Sequence, residues 1–284
     1  MPRLNLPELE DQPWLPPRLR GWLTDCLRFL FGTCLHRTDL ASRLAWVLRH
    51  SGEDRVLDLC SGSSGPWEPL LEVLEREHGL EPRVTLTDKY PNHALIPTLE
   101  ARSGGRIRYL AEPVDARALP PSLPGVRTLI AGFHHFRPEE TRGILADAVR
   151  RGRALAIFEI SERSLGTVLM TPLVGLAVFA MTPFLRPLSL HRLAFTYVVP
   201  VIPLLVFWDG LASCCRSYTV RELEALAMPL ERPGYRFRAG RERVRGLPVH
   251  LNWLVGLPES TSPTPPSPSS PLPSRKSPIL ETRA

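Results

Sequence analysis

RVLDLCSGSSGPW, residues 55–67, joins an apolar run, Val56 to Leu59, to a turn of small residues, Cys60 to Gly65, and opens a helical pattern at Trp67. A strand that ends in a glycine- and serine-rich turn ahead of a helix lets backbone N–H groups approach a ligand closely, at the positive end of that helix. Chemically this is a nucleotide cradle. Many strand-to-helix junctions carry glycine for geometry alone, so the flanking sequence has to supply the rest of the argument.

Working outward, short apolar runs alternate with helical stretches, the rhythm of βαβ units and a parallel sheet. Strands are expected at Val56–Leu59, Val84–Thr87, Ile107–Leu110, Thr128–Gly132 and Ala154–Ile160, with helices over Trp67–His78 and Pro138–Arg150. Connections of that length suit right-handed crossovers. The expected fold class is α/β, a Rossmann-like, doubly wound, mostly parallel sheet with an antiparallel C-terminal edge hairpin and an apolar helical insertion. The hairpin is read at Tyr235–Val244 and Val249–Leu257, and a short helix capped by Thr219 runs to Ala227. Ahead of the sheet, Leu19 to Phe31 and Leu40 to Leu48 have helical spacing, the second run bounded by Thr38 or Asp39 and by Gly52. Both are expected to pack on the main domain. The organisation expected is a helical lead-in over 1–52, a Rossmann-like domain over 53–257 with an insertion at 165–208, and a Pro/Ser-rich disordered tail over 258–284.

The 284 residues suffice for one generous α/β domain. The net charge of +6 is almost wholly arginine, spread along the chain with no basic run. That reads as a solvated surface and gives no nucleic-acid partner. Five cysteines, at 26, 34, 60, 214 and 215, are odd in number and lack metal-ligand spacing, and no signal-peptide pattern opens the sequence. A reducing, cytoplasmic setting is expected, with no metal. Cys214 and Cys215 read as small buried residues and Asp209-Gly210 as a turn.

Read as a dinucleotide fingerprint, Cys60, Gly62 and Gly65 have the spacing G-x-G-x-x-G with the first glycine replaced. Asp58 at the strand end and Pro66-Trp67 at the helix start disfavour a pyrophosphate, and hence an NAD-dependent oxidoreductase. A cationic cofactor with a free amino group suits Asp58 better. The second strand ends on Asp88, about 20 residues past the turn, where a nucleotide-binding sheet needs a carboxylate for the ribose hydroxyls.

These residues resemble the first motif of the class I S-adenosylmethionine-dependent methyltransferases, an acidic residue followed by a glycine-rich turn at the end of the first strand. Asp58, Gly62 and Gly65 match it. Cys60 stands where that motif usually has glycine, and the last glycine, Gly65, comes one position late, after Ser64. The resemblance implies S-adenosylmethionine as cofactor, held by Asp58, Cys60, Gly62, Gly65 and Asp88, with Asp115 beside the adenine. It also puts the end of the fourth strand, AGFHHFRP, at the methyl donor and acceptor. His134 and His135 are adjacent, so in an extended segment they point opposite ways and at most one faces the pocket as a general base. Glu159 is the second candidate for contacting the acceptor. DQPW, residues 11–14, and FHHF, residues 133–136, look like elements of a group of bacterial methyltransferase-like proteins.

Leu165 to Trp208 breaks the α/β rhythm. Its first 20 residues carry no charge, the length of a bilayer span, yet Pro172, Pro183, Pro200 and Pro203 interrupt the tract. A broken or interfacial hairpin and a buried helical lid both stay open. Either would leave the fifth strand's carboxyl end as an apolar wall over the acceptor pocket, and Arg186 and Arg192 would face anionic head groups. The expectation is therefore a methyltransferase acting on a hydrophobic small-molecule or lipid acceptor, cytoplasmic with peripheral contact at the inner membrane. The alternative is a non-catalytic, membrane-associated nucleotide-binding protein of the same fold.

Overall fold

The computed structural model describes residues 2–259. The expected tail lies outside the described residues from 260 onward. Five parallel strands, β1 (Arg55–Leu59), β2 (Arg83–Thr87), β3 (Ile107–Tyr109), β4 (Val126–Ile130) and β5 (Leu155–Glu159), are followed by a hairpin, β6 (Tyr235–Arg243) and β7 (His250–Pro258). They form one seven-stranded sheet in the order β3-β2-β1-β4-β5-β7-β6, in which β7 runs antiparallel to β5. This is the Rossmann-like doubly wound sheet, with its antiparallel edge hairpin, that the sequence predicts. The order reverses between β1 and β4, and ligands of such sheets bind outside the carboxyl ends at the reversal.

The nine α-helices found among the described residues are α1 (Pro17–Cys34), α2 (Leu40–Ser51), α3 (Trp67–His78), α4 (Ile96–Arg102), α5 (Pro138–Arg150), α6 (Leu165–Met181), α7 (Leu190–Leu193), α8 (Val201–Arg216) and α9 (Val220–Ala227). Strand side chains alternate between faces, and the two cores follow that period. Val56, Val84, Leu86, Ala156 and Phe158 pack with α2, α3 and α4 on one face. Leu57, Leu59, Leu129, Leu155 and Ile157 pack with α5 and α9 on the other.

The two leading helices part company. α2 joins the sheet core, whereas α1 puts Trp22, Leu23 and Cys26 into a third core with Val178 and Met181 of α6 and Ile202, Leu205 and Val206 of α8. Asp209-Gly210 is no turn: both residues lie inside α8, because Asp209 is drawn inward to accept hydrogen bonds from the N–H groups of Leu9 (2.7 Å) and Glu10 (3.0 Å). Cys214 is buried, and Cys215 only partly so. α4 gave no clear period in sequence, since Leu99 is the single buried residue in its seven.

Candidate functional site

The chain leaves β1 through the glycine turn, which other elements hold in place. Ser61 N–H donates to the Thr87 carbonyl at 3.0 Å, and the Tyr109 hydroxyl donates to the Gly62 carbonyl at 2.8 Å. The Ser63 hydroxyl lies 2.7 Å from that of Thr24 in α1 and accepts from Asn92 at 2.9 Å. Gly62 and Gly65 have φ of 51° and 48°, in the left-handed region that glycine adopts without cost. Cys60 and Ser64, the two departures from the family motif, have φ of 60° and 73°. The backbone thus takes a glycine-like course at both positions although neither is glycine.

Asp58 does not line the cleft. Its buried carboxylate accepts from the hydroxyls of Ser61 and Thr128, both at 2.6 Å. Burial pushes its pKa up to about 6 despite those two bonds. Here it latches the turn to β4, a role the strand-end position alone could not reveal. Asp88 does reach the cleft. Its two carboxylate oxygens accept from Gly62 N–H (2.8 Å) and Tyr90 N–H (2.7 Å), so it ties the end of β2 to the cradle. Asp115 also lines the cleft, with Arg117 hydrogen-bonded across its carboxylate and holding it below the usual range.

The cleft encloses about 1270 Å³ outside the carboxyl ends of β1, β2 and β4. Besides Cys60, Gly62, Gly65, Asp88 and Asp115, its walls include Trp22, Leu27 and Phe31 of α1, Tyr90, and His135. The insertion contributes Arg186, Pro187, Ser189, His191 and Arg192, a largely polar edge in place of the apolar wall expected.

The paired histidines sit on a 3-10 turn, Phe133–His135, and not on extended chain. Their rings therefore stack, 4.5 Å apart and 31° from parallel, instead of pointing opposite ways. Only His135 lines the cleft. His134 is buried and holds Glu159, Nδ1 to Oε2 at 2.6 Å, while the other Glu159 oxygen accepts from the N–H groups of Phe133 (2.6 Å) and His134 (3.2 Å). Glu159 has no exposed surface and is not among the residues that line the cleft.

The N-terminal segment completes this cluster, and sequence reasoning gave it no chemistry. Glu8 is fully buried, with one oxygen 3.5 Å from His134 Nε2 and 3.5 Å from Arg216, and the other 3.2 Å from His135 Nδ1. Asp11 lies 2.9 Å from His135 Nδ1 and 3.2 Å from Arg216. Arg216 of α8 also donates to the carbonyls of His134 and His135. Burial alone would lower the His134 pKa, but the Glu159 and Glu8 carboxylates outweigh it and raise it to about 9. Glu8 and Asp11 likewise override burial at His135 and hold it well above the ordinary histidine value. Glu8, His134 and His135 bring ligand-type atoms within 4.8 Å of one another. With Glu8, Glu10, Asp11 and Glu159 set against His134, His135 and Arg216, four acids meet three basic groups, and burial together with the neighbouring acids pushes the Glu10 pKa up to about 8. The signal was present as three acids in four residues, Glu8, Glu10 and Asp11, but nothing local connects them to positions 134 and 216.

No protein family and no curated protein matches the sequence. Among solved structures, an O-methyltransferase from neocarzinostatin biosynthesis, NcsB1, in complex with S-adenosylmethionine and a naphthoic acid is 16% identical, with a TM-score of 0.40. That alignment covers 75% of this chain and 52% of NcsB1, so the chain spans about half of that enzyme's length. The plantazolicin methyltransferase BpumL, in complex with SAH, is 12% identical at a TM-score of 0.44, covering 85% of this chain and 96% of its own. A magnesium protoporphyrin IX methyltransferase, ChlM, from Synechocystis PCC 6803 with bound SAH is 14% identical at 0.40, covering 78% and 83%. In this chain the first five strands are parallel, the seventh is inserted antiparallel beside the fifth, and a glycine turn follows the first. The fold is a Rossmann-like, doubly wound α/β fold with an antiparallel edge hairpin.

Proposed function

We propose that the cleft binds S-adenosylmethionine and that the chain transfers its methyl group to an apolar or amphiphilic small-molecule or lipid acceptor. The observation that carries this reading is Asp88. It stands at the end of β2, on the cleft, and fastens the glycine turn through Gly62. A carboxylate oxygen has two lone pairs, so each Asp88 oxygen that accepts one N–H retains capacity for a ribose hydroxyl. Gly65, with open space where a Cβ would stand, suits close approach of the rest of the nucleoside, and the volume exceeds what one small ligand fills.

When bound, this cofactor supplies an electrophilic methyl group on a sulfonium. What the chain adds is mainly position. His135, in the turn after β4, has Nδ1 against Glu8 and Asp11 and Nε2 3.5 Å from Glu10; those carboxylates hold its pKa well above the ordinary value, so it lines the cleft as a cationic group and not as a ready base. Trp22, Leu27 and Phe31 give the acceptor side an apolar floor, and Arg186 stands at its rim.

Calorimetric titration of the full chain with S-adenosylmethionine, S-adenosylhomocysteine and NAD tests the cofactor assignment. Both sulfur nucleosides should bind and NAD should not. Asp88→Ala should weaken binding about 10- to 100-fold, because charge-assisted hydrogen bonds are worth roughly 1.5–3 kcal/mol together. An unchanged dissociation constant would remove Asp88 from the site. Methyl transfer from a labelled donor into a lipid and metabolite extract tests the acceptor. Cofactor binding with no labelled product would favour the non-catalytic alternative.

A further inference from the structure

The insertion lends the cleft only an edge, 186–192, while many of its large apolar side chains are exposed. On α6 the residues Leu165, Leu169, Leu173 and Leu176 form one exposed stripe, spaced three or four apart so that they share a helix face. Further along the insertion Phe184, Leu188, Leu190, Val198, Val199 and Leu204 are exposed as well. Phe184 is 69%, Leu190 83% and Val198 78% exposed. Soluble surfaces scatter single apolar residues, whereas a contiguous apolar patch marks a binding surface.

Charge indicates what covers it. Between Glu162 and Asp209 there is no acidic residue, and of the arginines in the insertion Arg186 alone is exposed. Docking a second copy by a two-fold axis would pair the patch with itself and bury Arg186 against a surface that carries no acid to neutralise it. An anionic lipid surface supplies the missing negative charge and the apolar medium together. Tyr197 and Trp208, in the same insertion, are exposed, aromatic side chains of the kind that collect at membrane interfaces.

The tract is held too firmly to cross a bilayer. By length and composition Leu165–Phe184 could span one. Yet its inner face is packed on α1, and it is pinned at polar points. Arg192 is buried against Asp25 of α1, which corrects the expectation that Arg192 meets head groups, and Asp209 is bonded to the N-terminal segment. Pulling α6 and α8 into hydrocarbon would strip those charged groups of their partners or drag them in. The same insertion supplies Arg186, Pro187 and His191 to the mouth of the cleft.

We infer that the outer face of residues 165–204 docks on an anionic membrane surface, lying in its interface with Arg186 toward the head groups and the cleft mouth beside the lipid. The docking stands on its own and does not depend on methyl transfer. The test is flotation of the full chain with vesicles of phosphatidylcholine alone and of equimolar phosphatidylcholine and phosphatidylglycerol. The full chain should float with the anionic vesicles and much less with the neutral ones. The double variant Phe184→Glu/Leu190→Glu should lose about tenfold or more in partitioning per residue, since each substituted side chain forfeits the burial of a large apolar group. Both positions are exposed, so its melting temperature should match that of the unaltered chain; Arg186→Gln, a second and milder change, should weaken only the anionic preference. Equal flotation of the double variant, or no flotation of the full chain, overturns the inference. So would a dimer in solution that the double variant dissociates, since that assigns the face to a second copy.

Discussion

At the scale of single residues the glycine turn shows how a motif can be legible and its details not. The sequence gives an acid, a strand end and a run of small residues, and the structure adds that Cys60 and Ser64 occupy left-handed backbone. An L-residue there costs about 1–2 kcal/mol, of which glycine would return part after its own entropic cost of roughly 0.5–1 kcal/mol. Ser64 is fully buried and, among the described residues, its hydroxyl has no hydrogen-bond partner. Ser64→Gly is therefore expected to stabilise the protein by up to about 1 kcal/mol, a rise of roughly 2–4 °C in Tm for a domain of this size. A fall in Tm on thermal denaturation would mean that the turn is not strained at Ser64. Asp58 illustrates the opposite limit. Its type and place matched the motif, but only the hydroxyl of Thr128, 70 positions away, shows that it latches the turn.

At the scale of elements, boundaries were legible wherever the chain is punctuated chemically. α3 and α5 begin at Trp67 and Pro138 and end at His78 and Arg150, as read from sequence. Pro66 or Pro138 stands at the start of each, and Gly79 closes α3 in a left-handed cap. α9 begins after Thr219, whose side chain forms a capping box with Glu222. The edge hairpin was legible from its alternation, but not the reason for its glycines. Gly240 faces Trp253 across the β6–β7 ladder, and a Cβ on it would lie 2.3 Å from the indole ring. The ring also lies under the guanidinium of Arg43 from α2, 3.7 Å from the ring centroid, so it cannot move without disturbing α2. Gly240→Ala should cost about 1–3 kcal/mol through forced repacking, with a change in tryptophan emission as the ring is displaced. An unaltered Tm would show that the indole can shift freely.

At the scale of the whole molecule, the feature least visible in sequence is the cluster that joins the N-terminus to the ends of β4 and β5 and to α8. Its members, Glu8, Asp11, His134, His135, Glu159 and Arg216, are separated by up to 208 positions, and no periodicity spans such distances. Because the pairing is ionic, it makes a prediction in pH. His134 has a reference pKa of 6.5 and is raised to about 9 when folded, so the folded chain holds this proton more tightly than the unfolded chain. The stabilisation is fully present below pH 6.5 and is lost as pH rises through about 9. At 1.36 kcal/mol for each pKa unit it is on the order of 3 kcal/mol at most. Stability measured by denaturant unfolding should therefore decline between pH 6.5 and 9.5 or so, and His134→Gln should start lower and decline less over that window, because its side chain does not titrate. Cysteines and tyrosines that ionise in the alkaline range are common to both proteins, so the difference between the two curves reports His134 together with the Glu8 and His135 side chains that interact with it. The N-terminal segment should loosen with the cluster, since Glu8 loses a cationic partner when His134 gives up its proton. Limited proteolysis should then cut before Pro17 more readily at pH 9.5 than at pH 6.5. Parallel stability curves for the two proteins, or cleavage indifferent to pH, would show that the histidine pair does not hold the N-terminus in place.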